Sequence, residues 1–190
     1  MRKEGLKTSR ELQWYFSKRV AGILGKYGKK PIGWDELASS GKSIDNPLTI
    51  MFWKGEEAVS SMLKSGNDVI LSREDDGAYL NYRQCDDEYE PGDSGVTTLK
   101  ASYLSKLHYD AEGGSGKIIG GQGNLWTEKI IFPKNATYML FPRLAAIAEC
   151  YWLADGRNWE SFENRVKELP LLLEALGLGI SFFIPDYFST

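Results

Sequence analysis

Four short, nearly continuous apolar runs, separated by stretches of helical period, predict an α/β fold: a parallel sheet with helices packed on it. The runs are Lys30-Pro-Ile-Gly-Trp34, Leu48 to Trp53, Asp68 to Ser72 and Lys117 to Gly121. A strand buried on both faces has no polar side to show, so it reads as unbroken hydrophobicity rather than as alternation. Other stretches carry apolar residues at three- and four-residue spacing, the mark of one face of a helix.

The elements follow in order. Thr8 to Lys26 is a helix, with Leu12, Tyr15, Phe16, Val20, Ile23 and Leu24 in period. Thr8 or Ser9 caps its start, and Gly25 and Gly28 end it. After the run at 30–34 come polar residues and then the strand at 48–53. Glu56 to Ser65 is helical and stops at Gly66, just before the strand at 68–72. Arg83 to Thr98, rich in Asp, Glu and Gly, reads as a long surface loop. Beyond the strand at 117–121, two helices cover Ala136 to Leu153 and Asn158 to Leu176, the second interrupted or restarted around Pro170. Ile180 to Phe188 closes the chain.

Composition narrows the function classes. A chain of 190 residues is long enough for one domain with a real core. Apolar residues at 42% and charged residues at 26% are the profile of a soluble globular protein. A net charge of -3 and a pI of 5.4 provide no basic field, which argues against nucleic acid as a partner. No apolar run is long enough to span a membrane, and the start, Met-Arg-Lys-Glu-Gly, does not read as a signal peptide. Cys85 and Cys150 show no C-x-x-C spacing and read as free thiols.

Aromatic content is high: six Trp, ten Tyr and eight Phe make 13%. Such side chains belong to cores by default. Four of them, however, follow successive strands: Trp34, Trp53, Tyr79 shortly after Ser72, and Trp126 shortly after Gly121. Parallel α/β folds build their sites at the carboxyl ends of strands, so this series predicts a shared mouth. In Gly120-Gly-Gln-Gly-Asn-Leu-Trp-Thr-Glu128 an indole stands two residues before a carboxylate, behind glycines that let backbone turn sharply or approach closely. An apolar face beside a hydrogen-bond acceptor suits a sugar ring. A tight turn with a packed indole would use the same residues.

Other features read as bland. His108, the only histidine, lies in a loop-like stretch and is expected to be solvated. Gly113-Gly-Ser-Gly116 is a flexible loop rather than a phosphate cradle, because no helix opening with Lys-Ser or Lys-Thr follows it. Asn135-Ala-Thr137 is a sequon short enough to arise by chance.

Taken in order, Leu12-Gln-Trp-Tyr-Phe16, Ile32-Gly-Trp-Asp-Glu36, Met51-Phe-Trp53, Ala78-Tyr-Leu-Asn-Tyr82, the run at 120–128 and Phe141-Pro-Arg-Leu-Ala-Ala-Ile-Ala-Glu149 resemble glycoside hydrolase family 20. These are the β-N-acetylhexosaminidases, and the resemblance covers nearly the whole chain. It implies a partial TIM barrel: residues 1–190 are the C-terminal half of the (β/α)8 catalytic domain, with strands five to eight and their helices. A full barrel takes roughly 250 residues. The family's His-x-Gly-Gly-Asp-Glu motif, which carries the catalytic Asp-Glu pair, is absent. Asp35-Glu36 follows Trp34 without that lead and is read as structural, bonding loop backbone. Arg143 and Glu149 match the family pattern on a helix and are also read as structural.

The resemblance implies removal of terminal β-linked N-acetylglucosamine or N-acetylgalactosamine by substrate-assisted retaining catalysis, without metal or organic cofactor. The family departs from the usual pair of carboxylates, because the substrate's own acetamido oxygen is the nucleophile. By residue match, Trp34, Trp53 and Trp126 wall the acetamido pocket. Tyr79 bonds the acetamido carbonyl oxygen, and Glu128 holds sugar hydroxyls. Asn81 stands where the family usually has an aspartate, which replaces a charge-assisted bond by a neutral one of roughly half the strength. The acid and the orienting aspartate are missing, so this chain alone is expected to be inactive.

The implied partners are N-acetylhexosamine glycans and, for assembly, the missing N-terminal half of the barrel or a second copy of the chain. Strands around Ile32 and Ile118 would be open edges, and Ile50, Phe52, Val69 and Leu71 would meet water. The resemblance implies a secreted, periplasmic or lysosomal parent and leaves the compartment open. A non-catalytic carbohydrate-binding module and a purely structural half-barrel are the rival readings.

Overall fold

The computed structural model describes residues 1–40 and 48–177; the closing segment expected at 180–188 lies outside them. In chain order the elements are α1 (Ser9–Lys26), β1 (Ile32–Trp34), β2 (Thr49–Phe52), α2 (Glu56–Lys64), β3 (Asp68–Leu71), β4 (Tyr82–Arg83), β5 (Asp93–Val96), α3 (Leu99–Tyr103), β6 (Ile118–Gly121), α4 (Pro133–Leu140), α5 (Arg143–Leu153), α6 (Trp159–Val166) and α7 (Leu169–Ala175). They divide into two compact units, Met1–Leu71 with His108–Gly121, and Ser72–Leu107 with Gln122–Thr190.

The first unit holds a four-stranded sheet of order β1-β2-β3-β6. All its pairs are parallel, with Trp34 level with Met51 and Phe52 level with Leu71. All four predicted strands are therefore present. A bulge in β6 skips Ile119, since Val69 pairs with Ile118 and Ile70 with Gly120. Thr8 caps α1 in a reciprocal box: its hydroxyl accepts from the Glu11 amide while the Glu11 carboxylate accepts from the Thr8 amide.

Ile50, Phe52, Val69 and Leu71 are buried, contrary to the expectation that they meet water. The physical reason is local cover: α2 packs on β3, and its own Val59 and Leu63 are buried too. Exposed apolar side chains of the sheet lie instead on its two edge strands, Ile32 on β1 and Ile119 on β6. The same is true of α1. Leu12, Phe16, Val20 and Ile23 recur at helical spacing along it, with Tyr27 as the residue that ends it, yet all five are exposed, Phe16 to 67% and Tyr27 to 77%. The glycine loop at 113–116 is tied to the end of α2, where the Gly116 amide donates to the Leu63 carbonyl at 3.1 Å.

The second unit is mostly helical. Leu99, Tyr103, Ala146, Phe162 and Val166 form its core, with the Tyr103 and Phe162 rings stacked at 4.6 Å. The stretch read as a polar surface loop is more ordered than expected. β4 and β5 pair there, and Gln84 and Thr97 are buried. Glu90 satisfies several of its polar groups, accepting from the amides of Gln84 (2.8 Å) and Cys85 (3.0 Å) and from the Tyr138 hydroxyl (2.7 Å). The single helix expected over 136–153 is two. Pro142 has no amide to donate and forces Phe141 into extended backbone, so α4 ends and α5 begins there. The second expected helix is interrupted near Pro170, as read from sequence, giving α6 and α7 with Pro170 in the first turn of α7.

Cys85 and Cys150 are free thiols, and Cys150 is buried. Among the described residues no helix is long and apolar enough to cross a membrane, and no group of three or more His, Cys, Asp or Glu could hold a metal ion.

Candidate active site

The predicted site residues fall in both units. In the first, Trp34 is the last residue of β1 and Trp53 directly follows β2. The two strands are parallel neighbours, so both tryptophans stand at the carboxyl end of the sheet. The Asp35-Glu36 pair opens the 3-10 turn after β1. Asp35 Oδ2 accepts from the Lys54 amide at 3.3 Å, the backbone bond expected of it. Glu36 does something different: its Oε1 accepts from the indole Nε1 of Trp53 at 2.9 Å. The Lys54 ammonium lies 5.1 Å from the centre of the Trp53 ring. Burial, reinforced by the neighbouring Glu36 carboxylate, raises the Asp35 carboxyl to a pKa of about 6.

In the second unit the structure brings Tyr79 and Trp126 together, edge to face with ring centroids 6.4 Å apart. Backbone pairing sets that contact. Tyr79 bridges Asn124 in parallel, the Leu80 amide donating to the Asn124 carbonyl at 2.7 Å and the Asn124 amide to the Ala78 carbonyl at 2.8 Å. Two glycines beside this pairing leave room for the helices packed on it, Gly77 for α3 and Gly123 for α5. A side chain at Gly77, which has φ of +83°, would start 2.6 Å from the Ala101 carbonyl oxygen. One at Gly123 would start 2.9 Å from Ile147 Cδ1. Tyr79 is nearly buried while Trp126 keeps 42% of its surface exposed.

Asn81 is 6% exposed, and its Oδ1 has no hydrogen-bond partner among the described residues. Beside it, the Tyr82 ring lies 5.9 Å from Tyr79, and its hydroxyl donates to the Glu74 carboxylate. Burial, then the Glu74 carboxylate, pushes the Tyr82 hydroxyl well above the usual phenol range. Glu128 is exposed, in the turn after Trp126.

Arg143, read from sequence as structural, holds this strand end in place. It is fully buried, and its guanidinium donates to the carbonyls of Leu80 (2.7 Å), Tyr82 (2.8 Å), Thr97 (2.9 Å) and Met139 (2.6 Å). Two of those carbonyls flank Asn81. Glu149, the other structural reading on α5, accepts from Tyr103 and Arg165. The Glu36–Trp53 and Glu74–Tyr82 bonds were not anticipated, and no local pattern marks either.

Residues 1–155 match the model of the glycosyl hydrolase family 20 catalytic domain. The chain belongs to glycosyl hydrolase family 20. A Porphyromonas gingivalis beta-hexosaminidase is 31% identical to it over 190 residues, covering 98% of this chain but 24% of that protein. Among solved family 20 structures, the exo beta-N-acetylglucosaminidase of Vibrio harveyi in complex with N-acetylglucosamine superimposes with a TM-score of 0.76 at 29% identity. That match covers 96% of this chain and 29% of the other. The beta-N-acetylhexosaminidase of Streptomyces coelicolor A3(2) gives 0.78 at 26% identity, over 95% of this chain and 37% of its own. The chain thus spans about a quarter to a third of these family 20 proteins, and its fold is a part of their TIM barrel.

Proposed function

We propose that this chain supplies the acetamido-binding half of a family 20 β-N-acetylhexosaminidase, with residues 1–190 all belonging to the catalytic barrel. By residue match to family 20, Trp34, Trp53 and Trp126 are each assigned to the 2-acetamido group of a terminal β-linked N-acetylglucosamine or N-acetylgalactosamine. Tyr79 donates its hydroxyl proton to the acetamido carbonyl oxygen and aligns it for attack on the anomeric carbon. As that C–O bond forms, the glycosidic bond breaks and the leaving oxygen takes a proton from a general acid. Water then opens the resulting oxazolinium ion with retention. The acid, and the aspartate that orients the acetamido N–H, come from the part of the barrel that this chain does not contain. Asn81 and Glu128 serve sugar hydroxyls, Asn81 through its buried Oδ1.

The observation that carries this reading is the placement of Trp34 and Trp53 at the carboxyl ends of adjacent parallel strands in a family 20 chain. The contact of Tyr79 with Trp126 supports it. The other partner is the remainder of the barrel, which would cover the exposed apolar stripe of α1 and the open edge of β1.

The test has two arms. Purified chain should not turn over an aryl β-N-acetylglucosaminide, since general-acid help of about 10²–10⁴-fold is missing. Turnover abolished by Glu36→Gln but not by Glu128→Gln would overturn the reading. N-acetylglucosamine followed by NMR should perturb the Trp34, Trp53 and Trp126 indole signals, and Trp126→Ala should abolish the response. A sugar response that leaves all three indoles unmoved would sink the pocket.

A further inference from the structure

Two adjacent carboxylates meet two adjacent residues across neighbouring strand ends. Asp35 takes the backbone N–H of Lys54 through Oδ2, at 3.3 Å. Glu36 takes the side-chain N–H of Trp53 through Oε1, at 2.9 Å. The carboxylates lie just after β1 and their partners just after β2, all within the first unit. We infer that Asp35-Glu36 is a clamp that sets the Trp53–Lys54 segment, with Glu36 as a positioning residue that fixes the rotation of the Trp53 indole.

The physics favours Glu36 for this task. An indole has one donor, Nε1–H, so one acceptor on it selects among the ring's rotamers. A charged acceptor makes that selection stronger than a neutral one. Asp35 adds a complementary constraint, since its bond to the Lys54 amide holds the peptide that follows Trp53. The Lys54 ammonium over the same ring offsets the Glu36 charge. Neither carboxylate needs to touch substrate for the clamp to matter. The inference rests on the proposed role of Trp53 as a pocket wall, because only then does the ring's orientation reach the sugar.

The experiment is ¹⁵N NMR of the full chain, following the indole Nε1–H signals, with Trp53 assigned by Trp53→Phe. Glu36→Ala should move the Trp53 signal alone and speed exchange of its indole proton with solvent by about ten- to a hundredfold, the loss of one charge-assisted bond. Glu36→Gln, which keeps an acceptor, should restore most of both effects. An unmoved Trp53 signal in Glu36→Ala overturns the clamp, whatever the sugar does. N-acetylglucosamine titration reads the consequence separately, and Glu36→Ala should weaken the response at Trp53 about tenfold. Equal affinity in the two proteins overturns the positioning role and leaves the pocket reading standing. A wild-type chain whose Trp53 signal shifts in Glu36→Ala, but never responds to the sugar, overturns the pocket reading and leaves the clamp.

Discussion

On its own the chain is expected to self-associate through α1 and the β1 edge, and replacing Phe16 by Glu together with Ile23 by Lys should weaken that association. Exposed fractions set the magnitude: 41% for Leu12, 67% for Phe16, 38% for Val20 and 53% for Ile23, with 77% for Tyr27. Complete burial of such a side chain is worth about 1.5–3 kcal/mol, so covering the stripe gains about 6 kcal/mol, a little under half of it from Phe16 and Ile23. Association costs about 4–15 kcal/mol in lost freedom, which makes the stripe insufficient alone for tight binding. Among the described residues β1 is an edge strand, and an open strand edge is a template for pairing, which adds a second source of affinity. A symmetric pair covers the stripe on both partners, so the gross gain doubles to about 12 kcal/mol, and against the lower part of the association cost it predicts a dissociation constant in the micromolar range, about 8 kcal/mol. The double substitution removes about 3 kcal/mol from each partner and should raise that constant by at least about a hundredfold. Sedimentation across the micromolar range is the assay. A wild-type chain that sediments as one monomer and unfolds cooperatively would refute the reasoning, as would a double variant indistinguishable from wild type.

Arg143→Met should destabilise the chain by about 3–5 kcal/mol, because it removes the donor set shared by four buried carbonyls; urea unfolding at matched assembly state measures it, and a loss under 1 kcal/mol would refute the clamp on 80–82. Arg143→Lys should recover only part of this, since an ammonium cannot reproduce the planar fork. Asp35 should make stability fall as pH rises from about 4 to about 6, because a carboxyl raised from 3.8 to about 6 binds its proton more tightly in the folded state. Asp35→Asn should therefore be neutral near pH 4 and stabilising by about 1 kcal/mol near pH 7.5, less than the full shift converts to because the group is screened by solvent. A variant with the same stability difference at both pH values would contradict this assignment.

Much of the fold was legible because its signals are local. Thr8 and Glu11 are three residues apart, so the capping box that starts α1 is written in one turn of sequence. The strands announce themselves because parallel strands are apolar on both faces, and the family resemblance rests on short runs in a fixed order. What only the tertiary structure decided depends on partners far away in the chain. The stretch from 83 to 98 looks like solvated loop because its residues are polar, yet Arg143 reaches back to Tyr82 and Thr97 and lets that backbone be buried. Helical periodicity runs on through Phe141 and Pro142, whereas the missing proline amide stops the helix there. Glu36 reads as a carboxylate bonding loop backbone until the fold brings it within 2.9 Å of an indole seventeen residues on. Sequence records which groups a residue carries and what its near neighbours permit. Which distant group satisfies a buried donor or acceptor is settled only when the strands are in register, because a hydrogen bond depends on ångströms in space and not on separation along the chain.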